Sequence, residues 1–178
     1  MRSVWLLAWL GLTCALPAGA AESAGLPFPA VWREQHLNFV YPGRTSRFSC
    51  DGLRDKVRSM LLDLGARRDL RISPVDCGES SALSLDIVVS MPALTDTAAR
   101  SQHPGDFATV DARFETFSIT VDPFRNMGMA DCELVQEFSR QILPKLATRA
   151  VTQDIDCAPT TSSGSRFLVR GEILRVLP

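Results

Sequence analysis

The sequence predicts an α+β fold in which a unit of strand, helix, strand and strand occurs twice, each copy stapled by a disulfide. Three observations carry this expectation. Two cysteine-bounded segments have nearly equal length, each opens with an apolar stripe at helical spacing, and alternating apolar residues flank both.

The chain opens "MRSVWLLAWLGLTCALPAGA", with Arg2 as its only charge, an apolar run from Trp5 through Leu16, and small residues Ala18 and Ala20 set two apart. This order of basic start, apolar middle and small-x-small end is that of a secretory signal peptide, residues 1–20, cut near Ala20/Ala21. The run is too short for a membrane span of about 20 apolar residues, and Pro17 and Gly19 break it. Cys14 follows "GLT" and so lacks the context of a lipid-anchored cysteine. Removing residues 1–20 takes away Arg2 and no acidic residue, which leaves 18 cationic against 20 acidic side chains, a net charge of −2. Nothing in that balance asks for a nucleic acid. About 158 residues then remain, 178 less 20, enough to bury a core.

Residues 21–35 hold no clear periodicity and are expected to form an N-terminal arm. The first half, residues 36–91, begins with an extended stretch over Leu37 to Phe48. A helix follows over Asp51 to Leu64, because Leu53, Val57, Met60, Leu61 and Leu64 share one face and Gly65 stands in the stop position. A return strand runs around Leu70 to Val75. In "LSLDIVVS" Leu83, Leu85, Ile87 and Val89 alternate at strand period. The polar, Pro-bounded residues 92–106 are a connecting loop.

The second half, residues 107–178, repeats the order. Along Phe107 to Val121, Ala108, Val110, Ala112 and Phe114 keep one phase while Phe117, Ile119 and Val121 take the other, which predicts a bulge near Glu115 and Thr116. A helix is expected over Glu133 to Ala147, with Leu134, Val135, Phe138, Ile142 and Leu146 on one face and a kink imposed by Pro144. Strands around Val151 to Ile155 and over "RFLVRGEILRV" complete the unit.

Loss of Cys14 leaves Cys50, Cys77, Cys132 and Cys157, an even number that allows three pairings. Lengths choose among them. Fourteen helical residues advance about 21 Å, and eight extended residues return about 26 Å, so Cys77 arrives beside Cys50. Similar arithmetic, about 22 Å out and about 30 Å back, joins Cys132 to Cys157. Right-handed crossovers would make the two strands flanking each helix parallel, giving a mixed sheet with both helices on one face, a sandwich of ferredoxin-like tendency.

Candidate chemistry is sparse. Cys50 and Cys132 stand at helix N-termini, where a thiolate is favoured, but the even count and the return geometry assign them to disulfides, and C-x-x-C spacing is absent. His36 and His103 have no companion at ligand or triad spacing, and Asp154 with Asp156 is a bare D-x-D on a strand face. No G-x-S-x-G, G-x-G-x-x-G or P-loop occurs. Catalytic residues, metals and cofactors are therefore not expected. Only Lys56 and Lys145 among the 19 cations are lysines. Arg54 and Arg58 suit intrahelical ion pairs with Asp51 and Asp55. Arg67, Arg68 and Arg71, past the helix end, form a candidate patch for an anion or a partner.

The stretch "YPGRTSRFSCDGLRDKVRSMLLDLGARRDL", Tyr41 to Leu70, with the closing Cys77, resembles a group of small exported proteins of proteobacteria that share a threonine, "CDGL", "K" and "LGAR". The matching positions are Thr45, Cys50, Asp51, Gly52, Leu53, Lys56, Leu64, Gly65, Ala66 and Arg67. The resemblance implies an envelope location in a Gram-negative cell and brings no catalytic residues with it.

These readings lead to an exported, non-enzymatic periplasmic or secreted protein that binds a macromolecular partner or supports envelope assembly. No transmembrane segment is expected in the mature chain. Two alternatives stay open: an enzyme with an unrecognised site near the Cys50/Cys77 edge or the 91–106 loop, and a small-ligand carrier with an apolar pocket between sheet and helices.

Overall fold

The computed structural model describes residues 26–44, 48–77, 82–95, 109–122, 127–158 and 165–178. Residues 1–20, Thr45, His103 and most of the 92–106 loop lie outside them.

The architecture is α+β, with one six-stranded antiparallel sheet, two helices and two disulfides. In chain order the elements are β1 (Phe28–Tyr41), α1 (Cys50–Asp63), β2 (Arg71–Asp76), β3 (Leu83–Leu94), β4 (Thr109–Thr120), α2 (Cys132–Gln141), β5 (Thr148–Asp156) and β6 (Arg166–Val176). The sheet order is β2-β3-β1-β4-β6-β5. The expected mixed sheet is thus corrected. β3 inserts between β1 and β2, and β6 between β4 and β5, so the strands flanking each helix never pair directly and every ladder is antiparallel.

Helix α1 forms where the apolar stripe lies. The Ser49 side chain accepts a hydrogen bond from the Gly52 N–H at 3.1 Å, an N-cap. Gly65, at φ 97°, closes the other end: its N–H bonds the Leu62 carbonyl and that of Ala66 bonds the Leu61 carbonyl. Leu53, Val57, Met60 and Leu61 are buried against the sheet, each contributing about 1.5–3 kcal/mol by removal from water. Helix α2 buries Leu134, Val135 and Phe138 in the same cluster, beside Leu37, Phe39, Leu85, Ile87, Val169 and Ile173 of the strands. One sheet face therefore carries both helices.

Three local expectations change. β1 starts at Phe28, inside the segment read as an arm, because residues 28–36 have little to bury on either face; only Ala30 among them is fully enclosed. The register of β4 with β6 runs unbroken from Ala112 to Thr120, so the expected bulge near Glu115 and Thr116 is absent. The two apolar phases serve opposite faces instead. Phe117 and Ile119 join the helix-side cluster, while Ala112 and Phe114 meet Ala30 and Leu174 on the other face. Finally, α2 stops at Gln141, and a 3₁₀ turn over Leu143–Lys145 replaces the kinked continuation. Pro144 cannot supply an N–H to the helical ladder, and the tighter turn needs none there.

The disulfides join Cys50 to Cys77 and Cys132 to Cys157, with Cα separations of 6.0 and 5.6 Å. These are the pairs to which the out-and-back lengths point. Each links the first turn of a helix to the end of the strand that returns beside it.

The two ends of the sheet are tied across its middle. Lys56 of α1 bonds Asp131, ahead of α2, at 2.7 Å. Glu133 of α2 accepts from the Tyr41 hydroxyl at 3.3 Å and from the Arg44 N–H at 3.0 Å. Arg175 of β6 in turn donates to the Asp63 carbonyl at the C-terminus of α1, where a cation suits the helix dipole.

Candidate functional site: an open strand edge

Among the described residues, β1 and β4 pair over four positions, from Phe28 opposite Ala112 to Val31 opposite Thr109. Alternation fixes which backbone groups face the overlap. The Pro29 carbonyl accepts from Thr95 beyond β3, and the Asp111 carbonyl accepts from Leu177 beyond β6, so odd-numbered residues of both strands turn outward. Even-numbered residues, Phe28 and Ala30 against Ala112 and Val110, face each other.

This parity carries along both strands beyond the overlap. On β1 it directs the Val40 backbone away from β3, and there the Gln141 side chain replaces a strand: its Oε1 accepts from the Val40 N–H at 2.9 Å and its Nε2 donates to the Val40 carbonyl at 2.7 Å. Gln141→Ala should therefore speed amide exchange at Val40 and lower stability by about 1 kcal/mol in urea unfolding, a partly exposed pair of bonds being lost to water.

On β4 parity directs the N–H and C=O groups of Phe114, Thr116, Ser118 and Thr120 to the side away from β6. The edge is closed at one end by Phe28 and at the other by Met127, which exchanges backbone hydrogen bonds of 2.8 and 2.9 Å with Asp122. Among the described residues, no strand pairs with β4 on this side between Ala112 and Asp122.

A groove of about 490 Å³ runs along this edge. Residues 115–120 line it consecutively, as a strand does when approached from its edge; a face would present every second residue. Met60, Asp63 and Leu64 of α1 line it too, together with Asp122, Met127 and, from β6, Arg175. Phe117 and Ile119 are buried on the helix side of the strand, while Thr116, Ser118 and Thr120 are more open to solvent.

The other sheet edges carry features that discourage pairing. β2 is six residues long, contains Pro74 and has a register break between Pro74 and Asp76. β5 has a break between Arg149 and Thr152, where Ala150 takes φ 51°, and bears Asp154 and Asp156. Short length, proline, bulges and charge are the usual protections of an edge. The Thr116–Thr120 edge of β4 has none of them.

The residues singled out in the sequence lie elsewhere. Arg67 is exposed, stacks over the Trp32 ring at 5.6 Å and pairs with Asp69 at 3.2 Å. Arg68 and Arg71 are exposed, and among the described residues no ion pair involves either. Arg58 donates to the Leu70 and Arg68 carbonyls, so it fastens the turn after α1 where an ion pair with Asp55 was expected. Arg54 does pair with Asp51, at 2.9 Å, and with Asp55, at 3.2 Å. His36 is exposed on β1, 3.5 Å from Glu34. Asp154 and Asp156 both approach Arg166, at 3.7 and 3.9 Å. Among the described residues, no group of three or more His, Cys, Asp or Glu side chains is placed to hold a metal ion, and no helix is long and apolar enough to cross a membrane.

This edge, which no strand pairs among the described residues, escaped sequence reading because it depends on how β1 and β4 meet, strands about 80 residues apart in the chain. A signal was present in "TFSIT", where Thr116, Ser118 and Thr120 are small and uncharged at every second position. Comparisons with protein-family models, with curated proteins and with solved structures find no match for this chain.

Proposed function

We propose that the chain is an exported, non-enzymatic protein of the periplasm or extracellular space that binds another macromolecule, and that it does so by accepting an extended polypeptide along the β4 edge. The observation that carries this reading is the row of backbone groups at Phe114, Thr116, Ser118 and Thr120 that turn away from β6, the last three lining the groove, with paired residues at both ends. Another backbone in extended conformation is the ligand that satisfies donors and acceptors alternating at strand spacing. Apolar side chains at every second position of the ligand would meet Phe117, Ile119, Met60 and Leu64. Two disulfides suit an oxidising compartment, and the opening twenty residues and the resemblance to small exported proteins of proteobacteria support export. The sheet order supports two β-α-β-β halves with the last strand of each inserted between the other two, the split arrangement of ferredoxin-like units.

Ser118 offers a clean test, because its N–H turns to the groove while those of Phe117 and Ile119 turn to β6. Binding of a lysine-flanked, nine-residue peptide alternating valine with threonine should weaken at least tenfold in Ser118→Pro and stay unchanged in Ser118→Ala, with the fold intact in both by circular dichroism. Equal affinity for all three proteins would rule out strand addition at this edge.

A further inference from the structure

The two disulfides sit in unlike surroundings. Cys77 is exposed and Cys50 half-buried, whereas Cys132 is 2% exposed inside the helix-side cluster and Cys157 packs half-buried against that cluster. We propose that Cys50–Cys77 is a thiol-exchange site, opened by a protein dithiol that attacks Cys77, and that its opening releases the end of β2. Cys132–Cys157 stays closed under the same attack.

Exchange proceeds when a thiolate attacks one sulfur and expels the other, so it needs an accessible sulfur and a good leaving group. Cys77 supplies the first. Cys50 supplies the second, because it opens α1, where the positive end of the helix dipole favours a thiolate. The neighbouring Asp51 carboxylate opposes this little, lying 2.9 Å from Arg54. Cys132 also opens a helix, but a thiolate formed there would be desolvated, with the buried Asp131 and Glu133 as its chain neighbours. In the exchange, the first thiolate of the dithiol bonds Cys77 Sγ as the Cys50–Cys77 bond breaks, and Cys50 Sγ leaves with the electron pair and takes up a proton. The second thiol of the reductant, giving up its proton, then attacks the reductant's own sulfur in the mixed disulfide. Cys77 is freed as a thiol and the reductant is left as a disulfide.

What this bridge fastens is otherwise loosely held. Among the described residues β2 pairs with β3 alone, its register breaks between Pro74 and Asp76, and Ile72 is its residue packed against the core, while Val75 is 59% exposed. The Arg67 N–H bonds the Ser90 carbonyl on the β2 side of β3, so by alternation Ser84 and Asp86 also turn their backbone groups toward β2. Opening the bridge frees Asp76 and Cys77 and leaves the Ser84 and Asp86 amides to water. The disulfide thus decides whether the short, proline-bearing β2 or the longer β3 borders the sheet.

Graded dithiothreitol under native conditions, followed by alkylation and peptide mapping, reads the order of opening. Cys50 and Cys77 should become alkylated about tenfold faster than Cys132 and Cys157, with circular dichroism unchanged at that stage. Amide exchange at Ser84 and Asp86 should quicken at the same stage, while Phe117 and Ile119, whose N–H groups turn to β6, keep their rates. A C-x-x-C reductant whose second cysteine is replaced by serine should be trapped on Cys77. Simultaneous loss of both bridges, earlier opening of Cys132–Cys157, or unchanged exchange at Ser84 and Asp86 would overturn the assignment. So would an adduct on Cys50, or no adduct at all.

Discussion

Replacing all four paired cysteines, Cys50→Ser with Cys77→Ser and Cys132→Ser with Cys157→Ser, should cost about 6–8 kcal/mol and leave the chain largely unfolded at 37 °C. Each bridge closes a segment of similar size, with sequence separations of 27 and 25, and in the loop-entropy model each constrains the unfolded chain by about 3–4 kcal/mol. A protein of this size is stable by only about 5–15 kcal/mol in total. The two pairs should not be equal. Cys132 is buried within the helix-side cluster, whereas Cys50 is only half-buried, so the Cys132→Ser change also places a hydroxyl among apolar groups. Urea unfolding of each double variant and of the quadruple variant measures this directly. The 132/157 variant should lose more than the 50/77 variant, and a quadruple variant within about 1 kcal/mol of the unaltered protein would contradict the assignment of the bridges as the covalent frame.

The second large effect concerns Lys56 and Asp131, the ion pair that ties α1 to the segment entering α2. The Asp131 side chain is 4% exposed and that of Lys56 16%. Asp131 Oδ2 also accepts from the Gly128 N–H at 2.6 Å. Lys56→Met strands a buried carboxylate and should cost about 3–5 kcal/mol. Asp131→Asn should cost less, about 1–2 kcal/mol, because the lysine stem can carry its ammonium to water. In the double variant the losses should be far from additive, since the neutral amide introduced by Asp131→Asn no longer needs a cation. Additive losses, or a Lys56→Met variant as stable as the parent, would show that the pair contributes nothing to joining the two ends of the sheet.

Much of this was legible from residues whose environment is local. The α1 stripe and its Gly65 stop appear as read because helix periodicity and a left-handed cap depend on near neighbours. Leu85, Ile87 and Val89 alternate because one face of β3 is buried under α1 and α2. Even the cysteine partners followed from lengths. The departures have longer-range causes. Among Phe28 to His36 only Ala30 is fully buried, so no side-chain pattern marks them as a strand. Phe114 and Phe117 looked like a slipped register because each belongs to a different core. The mixed sheet gave way to an antiparallel one because β3 and β6 insert between earlier strands, a choice that helix and strand periods do not encode. Arg67, which composition marked as a candidate anion ligand, is held by Trp32 and Asp69. Gln141 carried no motif at all, and its role at Val40 is visible only once β1 and α2 are side by side.

The open edge of β4 depends most on such long-range placement, and amide exchange tests it residue by residue. With the valine-threonine peptide at saturation, exchange should slow at Phe114, Thr116, Ser118 and Thr120 and stay constant at Glu115, Phe117 and Ile119, which β6 already protects. Slowing that is uniform along β4, or confined to β2 or β5 while the peptide is bound, would contradict strand addition at this groove.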